Sequence, residues 1–195
     1  MMIHVRGNSR VVFLFVALWL SSFAPGRSAR ATTLMRMSVA QMSRTARVIV
    51  RARCLGNSVS WDAGEIWTFT SFDVEEVWRG YAPARVVVRL LGGRLGNVTS
   101  SVSGIPRFRA GEEVVLFLEP TPRGDFSVVS WEQGTFRIRP DPRTGEESVV
   151  QDTASFATFD PATHRFQATG IRGLSLESFR ARVDAALREK PGRTQ

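Results

Sequence analysis

The sequence predicts a mainly β protein: a small closed or partly closed antiparallel barrel, with a short helix before it and an amphipathic helix after it. Three observations carry this expectation. Short apolar or alternating runs recur at regular spacing from residue 47 to residue 150. Clusters of Gly, Pro, Asn and Asp separate them, as turns separate strands in small all-β folds. Helical periodicity is confined to the two ends of the folded region. An open β-sandwich is the alternative arrangement of the same strands.

Taken in order, "MSVAQMSRTA" (37–46) opens with Ser38 and has Gln41 three positions later, the pattern of a capping box. "RVIVRARC" (47–54) reads as a strand, and "LGNSVSWDAG" (55–64) as a polar loop. "EIWTFTSFDVEEVWRG" (65–80) is the longest strand signal. Trp67 and Phe69 fall on odd positions, whereas Phe72, Val74 and Trp78 fall on even ones. Such a change of phase moves side chains to the other face, so a β-bulge near Ser71 is expected, with Trp67 and Trp78 as packing residues.

"ARVVVRLL" (84–91) places Val86, Val88 and Leu90 on one face, and "EEVVLFLEP" (112–120) is a continuous apolar run suited to a buried strand. "DFSVVSW" (125–131) and "TFRIRP" (135–140) flank "EQG" and predict a hairpin. "DPRTGEE" (141–147) is a further turn before the strand "SVVQD". Phe156, Phe159 and Phe166 are expected to anchor residues 152–170. A helix is predicted over 174–190, where Phe179, Val183, Ala186 and Leu187 share a face and Ser175 caps the start. The tail "PGRTQ" is expected to fray.

The chain has 195 residues, enough for one domain and a targeting segment. "MMIHVRGNSR" supplies a basic start, "VVFLFVALWLSSFA" an apolar run and "SARA" an A-x-A-like cleavage site, which together predict a secretory signal peptide over 1–31. The alternative is an uncleaved N-terminal membrane anchor. The run is shorter than the roughly 18 residues expected of a spanning helix. The expected organisation is therefore a leader (1–31), a barrel domain (32–151) and a C-terminal extension (152–195), in an exported protein, periplasmic or extracellular.

Charge and chemistry narrow the function. The formal net charge is +8, but four arginines and no acid lie in residues 1–31, leaving 22 basic groups against 18 acidic ones. That balance argues against a nucleic-acid partner. Cys54 is the only cysteine, so no disulfide forms within the chain.

The stretches "ARVIVRARC" (46–54), "FDVEEVWRG" (72–80), "VVVRLLGG" (86–93), "GIPRFRAGEEVVLFLEP" (104–120) and "VSWEQGTFRI" (129–138) carry a family resemblance. The mature chain resembles uncharacterised exported bacterial proteins with an oligonucleotide/oligosaccharide-binding (OB-like) barrel. In order of features it is also similar to the netrin-like module and the tissue inhibitors of metalloproteinases. The most specific element is Pro106-x-Phe108-x-x-Gly111-Glu112-Glu113. The resemblance implies an OB-like fold and export. It does not imply metalloproteinase inhibition, which relies on an N-terminal cysteine that this mature chain lacks.

Few residues suit catalysis. "LLGGRLGN" (90–97) follows a strand, but its G-G-x-x-G spacing and the β-like "NVTSSVSG" behind it provide no helix N-terminus for a phosphate, so a loop between strands is expected. His164 is the one histidine beyond the leader, and no metal-ligand spacing accompanies it. The alternative is a hydrolase using Cys54 or His164, the two together forming a nucleophile–base pair in one version; no G-x-S-x-G elbow supports a serine enzyme. The pairs Glu75-Glu76, Glu112-Glu113 and Glu146-Glu147 point to opposite strand faces and do not converge as acid and base. The leading expectation is a non-enzymatic binding module without a cofactor, its partner a protein or glycan of the cell envelope, contacted through Trp61, Arg94 and Trp131. A purely structural envelope component is the third reading.

Overall fold

The main sheet has eight strands, in the order Leu174–Ser175, Glu147–Val150, Thr135–Pro140, Glu113–Pro120, Val48–Asp62, Glu65–Arg79, Arg85–Leu91 and Phe126–Val128, and the last of these pairs back onto Glu113–Pro120. This computed structural model describes residues 34–152, 157–167 and 170–189, all within the unit Thr32–Gln195. The predicted leader (1–31), Phe156 and the tail "PGRTQ" lie outside the described residues.

The elements are β1 (Leu34–Met35), α1 (Val39–Thr45), β2 (Val48–Asp62), β3 (Glu65–Arg79), β4 (Arg85–Leu91), β5 (Gly93–Leu95), β6 (Val98–Ser100), β7 (Glu113–Pro120), β8 (Phe126–Val128), β9 (Thr135–Pro140), β10 (Glu147–Val150), β11 (Thr158–Asp160), β12 (Arg165–Gln167), β13 (Leu174–Ser175) and α2 (Leu176–Arg188). The fold is thus mainly β with a helix near each end of the described region. The β7–β8 pairing closes β7, β2, β3, β4 and β8 into a ring of five strands. Every step around it is antiparallel except β4–β8, a parallel bridge at Val88↔Phe126, where an antiparallel ring was expected.

Two apolar clusters hold these layers together. All five ring strands contribute to the first, which includes Val50, Cys54, Phe72, Val88, Leu116 and Val128. The second lies between the other side of the sheet and the helices and includes Met42, Ile49, Phe117, Phe136, Phe179 and Val183. β7 serves both: Val114, Leu116 and Leu118 face the first cluster, Val115 and Phe117 the second. A strand buried on both faces reads as the continuous apolar run seen in the sequence.

Both helices follow their local signals. Ser38 Oγ accepts from Gln41 N at 3.1 Å, and Gln41 Oε1 accepts from Ser38 N at 2.8 Å, completing the capping box of α1. Ser175 caps α2, while Phe179, Val183 and Ala186 are buried along one face. The predicted first helical residue, Leu174, pairs instead with Val149 of β10.

Four strand expectations need correction. Residues 55–62 are the outer half of β2, not a loop, and only Ala63-Gly64 turn the chain into β3. The exposed, polar character of this half hides its pairing from apolar periodicity. The bulge near Ser71 sits on the partner strand, where the register moves from Cys54↔Phe72 to Gly56↔Ser71 and leaves Leu55 over. β3 keeps its phase from Ile66 to Phe72, so Thr68 and Thr70 face inward and Trp67 lies on the outer face. This arrangement holds because Thr68 Oγ1 donates to Gly92 O (2.7 Å) and Thr70 Oγ1 to Asn57 Oδ1 (2.6 Å). The predicted β8–β9 hairpin does not form. Both strands pair along β7, and the 3-10 turn Trp131–Gly134 steps the chain from one to the other.

The remaining pieces are small. β1, β11 and β12 form a separate three-stranded sheet. Phe166 there is 63% exposed, its ring 5.4 Å from that of Phe159, so it does not anchor the segment to the body. "LLGGRLGN" ends in the hairpin β5–β6, not an unpaired loop. Gly92 (φ +87°) and Gly93 (φ +153°) are needed because a Cβ would stand 2.7 Å from Ser100 O or from Thr68 Oγ1.

Candidate functional site

A cleft of about 420 Å³ opens where β4 and β8 part beyond their single bridge. Its rims are two turns, the β2–β3 tip with Ala63 and the β7–β8 turn with Thr121 and Arg123. Trp67, Arg89, Leu91 and Trp131 line it between them.

Strand alternation explains the outer-face constellation. The pairings Trp67↔Leu91 and Phe69↔Arg89 put these four side chains on one face. The Arg89 guanidinium lies 4.2 Å from the Trp67 ring centre and 5.7 Å from that of Phe69. Arg89 is only 10% exposed, and its Nη2 donates to Asp62 Oδ2 at 2.7 Å. Arg123 Nη1 donates to the same oxygen at 2.5 Å, so one carboxylate links both rims of the cleft. Hydrogen bonds from Arg123 and Arg89 hold the Asp62 carboxyl below the usual range. Across the β7–β8 turn, Thr121 Oγ1 donates to Asp125 Oδ1.

Two buried donors in this group have no acceptor, the indole Nε1–H of Trp67 and Nε–H of Arg89. Arg89 Nε stands 3.8 Å from Asp125 Oδ2, a charge contact beyond hydrogen-bond length. Leaving a buried donor unsatisfied costs about 1–3 kcal/mol.

The backbone is also forced beside the cleft. Ser130 and Trp131 adopt φ of 51° and 58°, the left-handed region that non-glycine residues avoid. Each such residue costs on the order of 1–3 kcal/mol and persists only where surrounding contacts hold it. Here Gln133 Nε2 donates to Ser130 Oγ at 2.7 Å, and Glu132 N to Gly104 O at 2.9 Å. Glu132 is buried and paired with Arg137. Burial pushes its carboxyl up to about 7, against the lowering effect of Arg137 and with Asp152 and Glu112 adding to the rise.

The residues expected from sequence are dispersed. Trp131 lines the cleft. Arg94, on β5, lines a separate recess of about 230 Å³ with Asn57, Thr68 and Arg107. Trp61 is 56% exposed and paired with Ile66, on the face of β2 opposite Asp62 and the cleft. Trp67, Arg89 and Arg123 line the cleft but are not among the contact residues the sequence singles out. The signal for Trp67 was its odd phase relative to Phe72, here read as a bulge.

Cys54 is buried inside the ring, where burial raises its thiol pKa. His164 lies in the β11–β12 turn, edge-on to Phe159 in the other sheet, so neither cleft nor recess brings the two together. The glutamate pairs split as strand alternation demands: Glu112 meets Arg139, whereas Glu113 meets Arg51 and Arg53. Glu75 and Glu147 also converge on Arg51. Among the described residues, no cluster of His, Cys, Asp and Glu could hold a metal ion, and no helix is long and apolar enough to cross a membrane.

These features define a mainly β protein with a five-stranded ring and an outer-face cleft of paired aromatic and guanidinium groups. Compared with known proteins, the chain matches no family model and no curated protein.

Proposed function

We propose that this chain is an exported, non-enzymatic binding module whose five-stranded ring is an OB-like barrel. One observation carries the reading: the cleft between the β2–β3 and β7–β8 turns gathers Trp67, Trp131, Arg89 and Arg123, with two buried donors unsatisfied. In OB folds, ligands lie on the face of the second and third strands, between the loop joining strands one and two and the loop joining strands four and five. Counting β2, β3, β4, β7 and β8 as the five, the cleft occupies that position. Export rests on the basic start, apolar run and A-x-A-like site of residues 1–31. The resemblance to exported OB-like proteins belongs to the same reading.

The function is binding because the groups here position and stack instead of reacting. Among the described residues that line the cleft there is no histidine, cysteine or carboxylate, and the acids bonded to its arginines and Thr121, Asp62 and Asp125, lie outside that lining. Its walls match small-ligand clefts, mostly apolar with a few placed polar groups. The test is retention of envelope material by the immobilised protein. Trp131→Ala is expected to abolish retention of any component that the unaltered protein holds. Retention unchanged by Trp131→Ala would place binding elsewhere and overturn the assignment.

A further inference from the structure

The outer half of β2 leaves one edge of the main sheet without a partner. Val48–Arg53 pair with β7, and from Ile49 also with β3, whereas residues 56–62 pair with β3 alone. The segment 104–111 closes the start of this edge: Gly111 N donates to Cys54 O (2.8 Å), and Asn57 Nδ2 to Phe108 O (2.9 Å). From Ser58 to Asp62, nothing among the described residues pairs with the outer side. Ser58, Ser60 and Trp61 are exposed. An open edge is a template for another strand, and proteins guard it with charges, proline or bulges. Ser58-Val59-Ser60-Trp61 has neither charge nor proline, and the bulge at Leu55 lies before it.

The outward-facing backbone groups follow from the pairing. In a strand, the N–H and C=O of one residue point to the same side, and antiparallel pairs alternate between bonded and non-bonded. Ile66 O accepts from Gly92 N at 2.7 Å, on the side of β3 away from β2. Trp61, opposite Ile66, therefore spends neither group on β3, and by alternation neither does Val59, opposite Thr68. Both residues offer a donor and an acceptor to the open side, while Ser58, Ser60 and Asp62 spend theirs on β3.

We propose that two copies of this chain pair antiparallel along Ser58–Asp62, about a two-fold axis at Ser60, and so join their main sheets through β2. Val59 then pairs with Trp61 of the second copy, and each such pair exchanges both of its backbone hydrogen bonds. The Trp61 ring, 56% exposed in one chain, gains the Val59 side chain as a cross-strand neighbour. Ser58 meets Asp62, a hydroxyl against a carboxylate, and no like charges stand opposite each other. Charge agrees at the ends as well. The turn Ala63-Gly64, flanked by Asp62 and the exposed Glu65, falls opposite Asn57 and Gly56. Beside Asn57, Phe108 holds the exposed Arg107 and Arg109, while Glu112 is already paired with Arg139. A Cβ at Gly56 or Gly64 would meet nothing within 4 Å, so the turn has room. The two-fold repeats this acid-to-arginine match at both ends. Stable interfaces bury roughly 1,200 Å² or more, so one short strand segment makes a weaker, concentration-dependent dimer. The edge is separate from the cleft, and the dimer does not depend on what the cleft binds.

Sedimentation equilibrium of the purified protein, up to about 1 mM, is expected to show a reversible monomer–dimer equilibrium. Ser60→Cys places a thiol opposite its own copy, with Cα atoms roughly 4.5 Å apart, a separation that a disulfide spans. Oxidation is expected to link this variant into covalent dimers. Ser58→Cys, which faces Asp62 of the second copy, is expected to link at least about tenfold more slowly. Cys54 is buried and does not compete. Trp61→Pro removes an outward donor that β3 does not use, and is expected to weaken self-association by about tenfold or more. A monomer at every concentration, equal cross-linking of the two cysteine variants, or a dimer unchanged by Trp61→Pro overturns the proposal. Should Trp61→Pro fail to fold, the two cysteine variants decide.

Discussion

Glu132 shows how one buried side chain carries both structure and pH dependence. It follows Trp131 in the 3-10 turn, pairs with Arg137 and is 4% exposed. Burial raises its pKa to about 7 from an ordinary 4.5, so between these values the folded state binds a proton that the unfolded state releases. Stability from this group is therefore fully present below about pH 4.5 and is lost as pH rises to about 7, a change on the order of 3 kcal/mol. Glu132→Gln, which cannot ionise, is expected to flatten the fall in urea midpoint between pH 5 and pH 7.5. Parallel pH profiles for the two proteins would refute it. The sequence does not announce such a residue, because a glutamate in "WEQG" looks like a solvated turn until the surrounding chain covers it.

Strands β2 to β6 show what is gained and lost when elements are read locally. Alternation in β4 and the continuous run of β7 are legible because apolar side chains there face apolar surroundings. β3 misleads because its inward Thr68 and Thr70 satisfy their own hydroxyls, while its outward Trp67 and Phe69 are covered by Arg89. Hydrophobic period then reports cover, not direction. The β5–β6 hairpin depends on close approach at Gly93, where a methyl group would meet both Thr68 Oγ1 (2.7 Å) and Val59 Cγ1 (2.9 Å). Gly93→Ala is expected to destabilise the protein by about 1–3 kcal/mol through overpacking. A urea midpoint equal to that of the unaltered protein would show that the hairpin can shift freely. The "PRFRAGEE" segment is likewise architectural. Phe108 packs edge-on against Phe72 at 4.9 Å, and Gly111 N donates to Cys54 O at 2.8 Å beside the β2 bulge.

Across the described unit, the C-terminal helix is part of the second core. Phe179 is fully buried, 4.5 Å from the ring of Phe136 and 6.3 Å from that of Phe117. Phe179→Ala is expected to cost about 3–5 kcal/mol, read as a lower denaturant midpoint in one cooperative transition. A separate early transition for the helix, with the sheet unaffected, would contradict the packing seen here.

The amino-acid order by itself determined the mainly β class, the capped helices at both ends and the buried β7. Each depends on contacts within a few residues or on burial that period and composition record directly. The tertiary structure alone decided the ring closure of β8 onto β7, the outward direction of Trp67 and the cleft that joins it to Arg89, Arg123 and Trp131. These residues are far apart in the chain, and what unites them is pairing register and the meeting of two turns. Such long-range geometry leaves no local periodicity to read.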